Sequence, residues 1–233
     1  MIKDYIVFIT SLRKEKGISQ AKVAEMIGIS RTSYIDVEKG KRDLNVSELE
    51  KLAKFFGVSM EQIFNGSTQN IEKYKHMILS YLRMDLSHKK DGKVTKTKLA
   101  KLLYLADFAW FYEHYESMSG MQYRRIEYGP VPDIFFRAID ELETEQKIIV
   151  ERKKNDDKQM FLISESESNK NEKLVKLSKD ESNLIKKIAI KWQDKKTNDI
   201  VNFTHNQLPY FLCRDNEIIP YELIIQEDSD KVY

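Results

Sequence analysis

Residues 12–40 read LRKEKGISQAKVAEMIGISRTSYIDVEKG, and this stretch constrains the chain more than any other. Ser19 is a natural N-cap, because its hydroxyl can accept from an unpaired backbone N–H of the first turn. Val23, Ala24 and Ile27 follow at helical spacing on one face. Gly28 supplies a left-handed residue that other side chains adopt only at a cost. Ser30 then caps a second short helix that ends near Gly40. The pattern predicts two short helices joined by a tight turn, with Tyr34 and Val37 facing a core.

Helical spacing extends this into a bundle. A first helix over residues 4–16 turns Ile6, Ile9 and Leu12 inward and stops at Gly17. Asn45 with Glu48 and Ser59 with Gln62 read as capping boxes. They open a fourth helix over 46–56 and a fifth over 60–64. Residues 65–70, NGSTQN, are small and polar and predict a boundary. The expected organisation is a first domain over 1–66, a linker over 67–70, a second domain over 71–226 and an acidic, disordered tail over 227–233.

The second domain reads as mainly α (α+β). A helix over 71–86 buries Ile71, Tyr74, Ile78, Tyr81 and Leu82. A polar stretch follows at 87–93. A helix over 95–115 is apolar around most of its circumference, and such a helix belongs at the centre of its domain. Residues 123–128 read as a strand broken by Gly129-Pro130, with Pro132 and Asp133 opening a helix to about 146. Residues 147–153 and 159–164 read as a hairpin around the turn NDDK. Residues 164–173 read as a loop, and Ser178 with Glu181 opens a helix through Trp192. A short helix near 198–203 precedes extended pieces after Pro209.

Composition narrows the chemistry. No apolar run approaches the roughly 20 residues needed to span a bilayer, and the N-terminus lacks the form of a signal peptide. A single cysteine, Cys213, rules out a disulfide within the chain and fits a cytoplasmic setting. His76, His88, His114 and His205 are scattered without metal-ligand spacing, so no metal or cofactor is expected. Residues 1–66 hold 11 Lys/Arg against 9 Asp/Glu, and the rest hold 28 of each. The whole excess of +2 thus sits in the first part. That is too little for binding nucleic acid by bulk charge, so contacts must come from placed residues.

In a helix-turn-helix the second helix enters the major groove with its N-terminal residues at the base edges. Here these are Arg31, Thr32 and Ser33, with Asp36 one turn on as a further base-reading candidate. Arg31 can donate twice to a guanine edge. Gln20, Lys41 and Arg42 are placed for phosphates, which set register rather than sequence. Residues 5–64 resemble the Cro/repressor-type (XRE-like) helix-turn-helix family. The resemblance rests on Gln20, Ala24, Gly28, Ile29-Ser30, Tyr34-Ile35, Glu38-x-Gly40 and the following LEKLAKFFGVS. It implies double-stranded operator DNA as a partner. A domain this small gains affinity by pairing, so a homodimer on two half-sites roughly 34 Å apart is expected.

The catalytic reading of the second domain is negative. Cys213 and His205 lie near one another in sequence but lack an orienting third group. Gly92 is a lone turn glycine. Asp107 sits on an apolar helix, where a carboxylate costs energy unless paired; Lys101, Arg124 and Arg125 are the expected partners. The chain is therefore read as no enzyme.

The second domain also resembles the SocA-like, or Panacea, antitoxin domain. The matching residues are Lys98-Leu99-x-Lys101-Leu102-Leu103-Tyr104-x-Ala106-Asp107, Ser119-Gly120 and Tyr128-Gly129-Pro130-Val131. Thr204-His205, Pro209-Tyr210 and Ile219-x-Tyr221 follow, with Tyr210 where tryptophan is common. The resemblance implies neutralisation of a cognate protein toxin, usually encoded by an adjacent gene, by direct binding. Some members deliver the toxin to a protease, which makes a cellular protease a further partner. Aromatic residues are frequent binding anchors, and Trp110, Phe111, Tyr112 and Tyr115 are the candidates, although core burial accounts for most of them. The alternative is a phage- or mobile-element-type transcription regulator whose second domain senses a ligand or oligomerises.

Overall fold

A computed structural model describes residues 4–56, 58, 60–65, 69–84, 86, 91–155 and 158–233. The chain divides into two compact units, Met1–Thr68 and Gln69–Tyr233. The expected Ser59–Gln62 box, the middle of the 65–70 linker, residues 87–90 with His88, and the tip of the NDDK turn lie outside the described residues.

The described residues of the first unit form α1 (Asp4–Glu15), α2 (Gln20–Ile27), α3 (Arg31–Glu38), α4 (Val46–Phe56) and α5 (Met60–Asn65). Their inward residues, among them Ile6, Ile9, Val23, Ile27, Tyr34, Val37 and Leu52, form one core. Local chemistry accounts for the boundaries. Ser19 Oγ accepts from the Lys22 N–H, and Ser30 Oγ accepts from the Ser33 N–H. The box at α4 is complete: Glu48 N–H donates to Asn45 Oδ1, and Asn45 N–H donates to Glu48 Oε2. Gly28 has φ +80° and its N–H closes back onto Ala24 and Glu25. Lys51 Nζ reaches the Ile27 carbonyl at 3.4 Å, placing a cation at the negative end of α2.

In the second unit the elements run α6 (Ile71–Leu82), β1 (Val94–Thr95), α7 (Lys96–His114), β2 (Tyr123–Arg124), β3 (Val131–Pro132) and α8 (Ile134–Thr144). They continue with β4 (Ile148–Asn155), β5 (Lys158–Glu165), α9 (Lys179–Trp192), α10 (Thr197–His205) and α11 (Leu208–Leu212). Short 3-10 turns cover Glu167–Asn169, Tyr221–Gln226 and Ser229–Lys231. Every residue of α7 from Lys98 to Phe111 is buried. The helix packs against α6, α9, α10, β1, β3, β5 and the Tyr221–Gln226 turn. It is the axle of the unit, as its all-round apolar surface requires. The antiparallel hairpin β4–β5 carries β1 on its far edge, with Val94 opposite Ile163. The Ser178–Glu181 capping box is formed.

Four expectations change. The helix expected over 71–86 stops at Leu82, where Arg83 leaves to grip Glu165 with two nitrogens. The strand expected over 123–128 is only Tyr123–Arg124, and it pairs with Val131–Pro132 instead of giving way directly to a helix. Pro132 fits there because a two-residue edge needs no second donor from it. The segment after Pro209 is helical turns rather than extended pieces, apart from a bridge between Arg124 and Ile218. The acidic tail is packed: Gln207 Nε2 donates to the Lys231 and Val232 carbonyls, and Val232 is buried.

Candidate functional site

In the first unit the turn between α2 and α3 presents the start of α3 to solvent. Arg31 and Thr32 are exposed, and Ser33 and Asp36 are half-buried. Ser33 Oγ lies 2.8 Å from Ser30 Oγ, so one hydroxyl of the recognition turn is already used. Lys41 is exposed.

Two of the phosphate candidates are engaged within the unit. Gln20 Nε2 donates to Glu38 Oε2 at 2.7 Å. Arg42 Nη2 donates to Glu48 Oε1 at 2.7 Å. Glu38 is the residue that sequence reasoning missed. Arg13 Nε meets its Oε1 at 2.6 Å, so one carboxylate joins α1, α2 and α3. Burial by itself would push the Glu38 carboxyl up, but hydrogen bonds from Arg13 and Gln20 outweigh it and hold the group below the ordinary range. The signal lies in the Glu38-x-Gly40 block, which the sequence reading used only as part of the family resemblance. Glu38→Ala leaves a half-buried guanidinium and an amide without their acceptor and is expected to cost about 2 kcal/mol. Hydrogen exchange of the α1–α3 amides in the whole chain checks this, since their protection should fall while that of α7 holds.

The family-motif residues of the second unit fall into three groups. Lys98 is a strut. Its Nζ donates to the carbonyls of Leu86, Gln193 and Lys195 at 3.0, 3.3 and 2.7 Å, tying α7 to the end of α9.

Asp107 forms the second group, and here the expected partners are wrong. No cation meets it. The Ser119 N–H and hydroxyl donate to its two oxygens at 2.7 and 2.5 Å, and the Tyr123 hydroxyl donates at 2.7 Å. Lys101 is bound to the Pro130 carbonyl, Arg124 to the Asn216 carbonyl and Arg125 to the Tyr210 carbonyl. A fully buried carboxylate therefore takes three hydroxyl and amide donors in place of an ion pair. Burial pushes its pKa up to about 6 against the pull of these bonds. Tyr104 packs beside the cluster, with its ring 4.3 Å from Phe108 and 5.5 Å from Tyr123.

The third group brings together residues far apart in sequence: Lys101, Gly129, Pro130, His205 and Tyr210. Lys101 Nζ donates to Pro130 O at 3.0 Å. A Cβ on Gly129 would stand 2.6 Å from Lys101 Cε and 2.8 Å from His205 Nε2, and the backbone has φ +91°. Glycine is thus required twice over, by sterics and by backbone sign. His205 stacks flat on Tyr210 at 4.4 Å, and the Tyr210 hydroxyl donates to Ile126 O. Thr204 is buried with its hydroxyl on the Val201 carbonyl. Tyr128, by contrast, is 68% exposed.

Of the aromatic candidates, Trp110 and Phe111 are buried, Tyr112 is half-buried and Tyr115 is exposed. The Cys213 thiol is buried, and burial pushes its pKa up, the reverse of what a nucleophilic thiolate needs. Among the described residues His205 Nε2 has no hydrogen-bond partner. Among the described residues no cluster of three or more His, Cys, Asp or Glu could hold a metal ion, and no helix is long and apolar enough to cross a membrane.

Comparison with known proteins fits this division. Among curated proteins, the cryptic phage CTXphi transcriptional repressor RstR of Vibrio cholerae is 39% identical over 71 residues, covering 30% of this chain and 64% of that protein. An uncharacterized HTH-type transcriptional regulator of Methanocaldococcus jannaschii is 45% identical over 48 residues, covering 21% of this chain and 73% of that protein. The control protein C.MunI of a Mycoplasma species is 38% identical over 55 residues, covering 23% and 74%. The chain thus spans less than two thirds of the repressor RstR, and each similarity covers less than a third of the chain. No solved structure matches it significantly. Residues 9–63 match the helix-turn-helix family model, and residues 99–209 match that of the antitoxin SocA-like, Panacea domain. The chain belongs to the helix-turn-helix family through its first unit and carries an antitoxin SocA-like Panacea domain in its second.

Proposed function

We propose that the protein is an antitoxin that neutralises a cognate protein toxin through its second unit and represses its own operon through its first. The observation that carries the reading is the joint match to a helix-turn-helix and a Panacea domain, with Arg31 and Thr32 exposed at the start of the second helix of the turn. The two activities couple if toxin-bound and free forms differ in operator affinity, because linkage needs such a difference. Co-expression with the neighbouring gene tests the first half. A neighbour that is harmless alone, or that stays harmful beside this protein, sinks the reading.

In this proposal Arg31, Thr32, Ser33 and Asp36 face base edges, and a homodimer spans a near-palindromic operator. Arg31→Ala is expected to cost about 1–3 kcal/mol and to relax specificity at one base position. Lys41→Ala is expected to weaken binding across sequences and flatten the salt dependence by about one charge. Arg42→Ala and substitutions of Gln20 would also loosen Glu48 and Glu38, so Lys41 gives the cleaner measurement. Titration of operator and scrambled DNA at several salt concentrations reads both effects. Neutralisation should survive both Arg31→Ala and Lys41→Ala.

A second reading, a phage- or mobile-element-type regulator whose second unit senses a ligand, is favoured by a cavity of roughly 830 Å3 beside Lys101. A purified complex with a protein encoded next door would count against it.

A further inference from the structure

Among the described residues the second unit buries three lysines in very different company. Lys75 is surrounded by carboxylates, with Glu145, Glu141 and Glu72 at 2.7, 2.8 and 3.3 Å. Lys98 spends its ammonium on three carbonyls. Lys101, one turn further along α7, is only 2% exposed and has a single acceptor, the Pro130 carbonyl. An ammonium offers three donors, and a buried charge without a counter-charge is costly. Beside it, His205 Nε2 is buried and also lacks a partner.

Lys101 is not sealed in the core, because it lines the cavity of roughly 830 Å3. That volume lies in the range of small-molecule sites. The remaining walls are largely apolar and include Ile126, Val131, Phe135, Phe136, Phe161 and Val201. A second cation, Lys96, stands over Phe136 at 4.8 Å and has Asp140 and Glu143 as its nearby carboxylates. Lys101 has no such counter-charge. One ammonium without a counter-charge among the described residues, beside a largely apolar cleft, calls for one negative charge on an apolar body.

We propose that this cavity binds a monocarboxylate carried on an apolar group, with the carboxylate on Lys101 Nζ and the apolar body against Phe135, Phe136 and Val131. A single carboxylate balances a single ammonium, whereas the second charge of a phosphate dianion would have only Lys96, which already faces Asp140 and Glu143, to meet it. Gly129 lets Lys101 and His205 close against the backbone, where any side chain would collide with both. The assignment stands whichever reading of the whole protein holds.

The test uses the full chain at about pH 6, where the Lys101 amine and the octanoate carboxyl both carry their charges, with octanoate, 1-octanol and octylamine as probes, followed by methyl NMR and calorimetry. Octanoate is expected to shift the methyl signals of Ile126, Val131 and Val201 and to bind at least tenfold more tightly than octanol, with octylamine weaker still. Lys101→Met should abolish the preference for octanoate over octanol, and Phe136→Ala should weaken both alike. A tripeptide ending in leucine, as free acid and as amide, separates the two sources of such a group. Tighter octanoate binding assigns a free acid, and tighter binding of the peptide acid than of its amide or octanoate assigns a chain terminus; either supports the proposal. Equal binding of octanoate and octanol, methyl shifts confined to other regions, or a preference that persists in Lys101→Met would overturn it.

Discussion

Asp107→Ala is expected to destabilise the second unit by about 3–5 kcal/mol, enough to threaten its folding. Three buried donors lose their acceptor at once: the Ser119 N–H, the Ser119 hydroxyl and the Tyr123 hydroxyl. Each orphaned buried donor costs roughly 1–3 kcal/mol, and the two hydroxyls recover part of that by rotating while the backbone amide cannot. The cluster also anchors residues 117–123 to α7, so its loss releases β2 and the Tyr221 ring packed at 6.2 Å from Tyr123. Both tryptophans, Trp110 and Trp192, lie in this unit. Urea unfolding followed by tryptophan fluorescence therefore reports on it alone. An unchanged midpoint would show that the cluster is dispensable. Operator binding, carried by the other unit in our proposal, should outlast this substitution.

Lys101→Met works in the opposite direction and should stabilise the unit. Burial lowers the Lys101 pKa from 10.5 to about 7. A base whose folded pKa lies below its unfolded value penalises the folded state while protonated in both. The penalty is complete below about pH 7 and is relieved as pH rises toward 10.5, the unfolded value. The natural chain should therefore gain stability from this residue between pH 7 and 10. The gain ends there, because the buried phenols of Tyr74, Tyr81, Tyr104 and Tyr123, all held well above 10, begin to favour unfolding in alkali. Methionine has a similar length and no charge. It should add a few kcal/mol at pH 6 and remove that rise. Urea midpoints of the two proteins across this range make the comparison. A methionine variant that is less stable at pH 6 would mean that the Pro130 contact outweighs the buried charge.

Short-range chemistry made much of the architecture readable. The boxes at Asn45–Glu48 and Ser178–Glu181, and the N-caps Ser19 and Ser30, are set by atoms three residues apart, so spacing alone finds them. The burial of α7 was equally plain, since no single stripe could hold its apolar residues. Long-range partners were not. Opposite charge suggested a cation for Asp107, but the folded chain brings Ser119 and Tyr123 to it. Nothing in residues 131–132 announces a strand, because β3 exists only by pairing with Tyr123–Arg124. The same holds for Glu38, whose partners Arg13 and Gln20 come from two other helices. Sequence blocks marked Lys98, Lys101 and Asp107 as one motif, yet each solves a different burial problem.

The Glu38 junction has a consequence for how such a protein diverges. The framework that joins three helices is fastened on Arg13, Gln20 and Glu38, while Arg31 and Thr32 are exposed and lie outside that junction. Mutations at those two positions carry little folding penalty. If Arg31 and Thr32 read DNA as we propose, descendants of one scaffold are free to acquire new operators by drift at the exposed turn, without passing through unfolded intermediates.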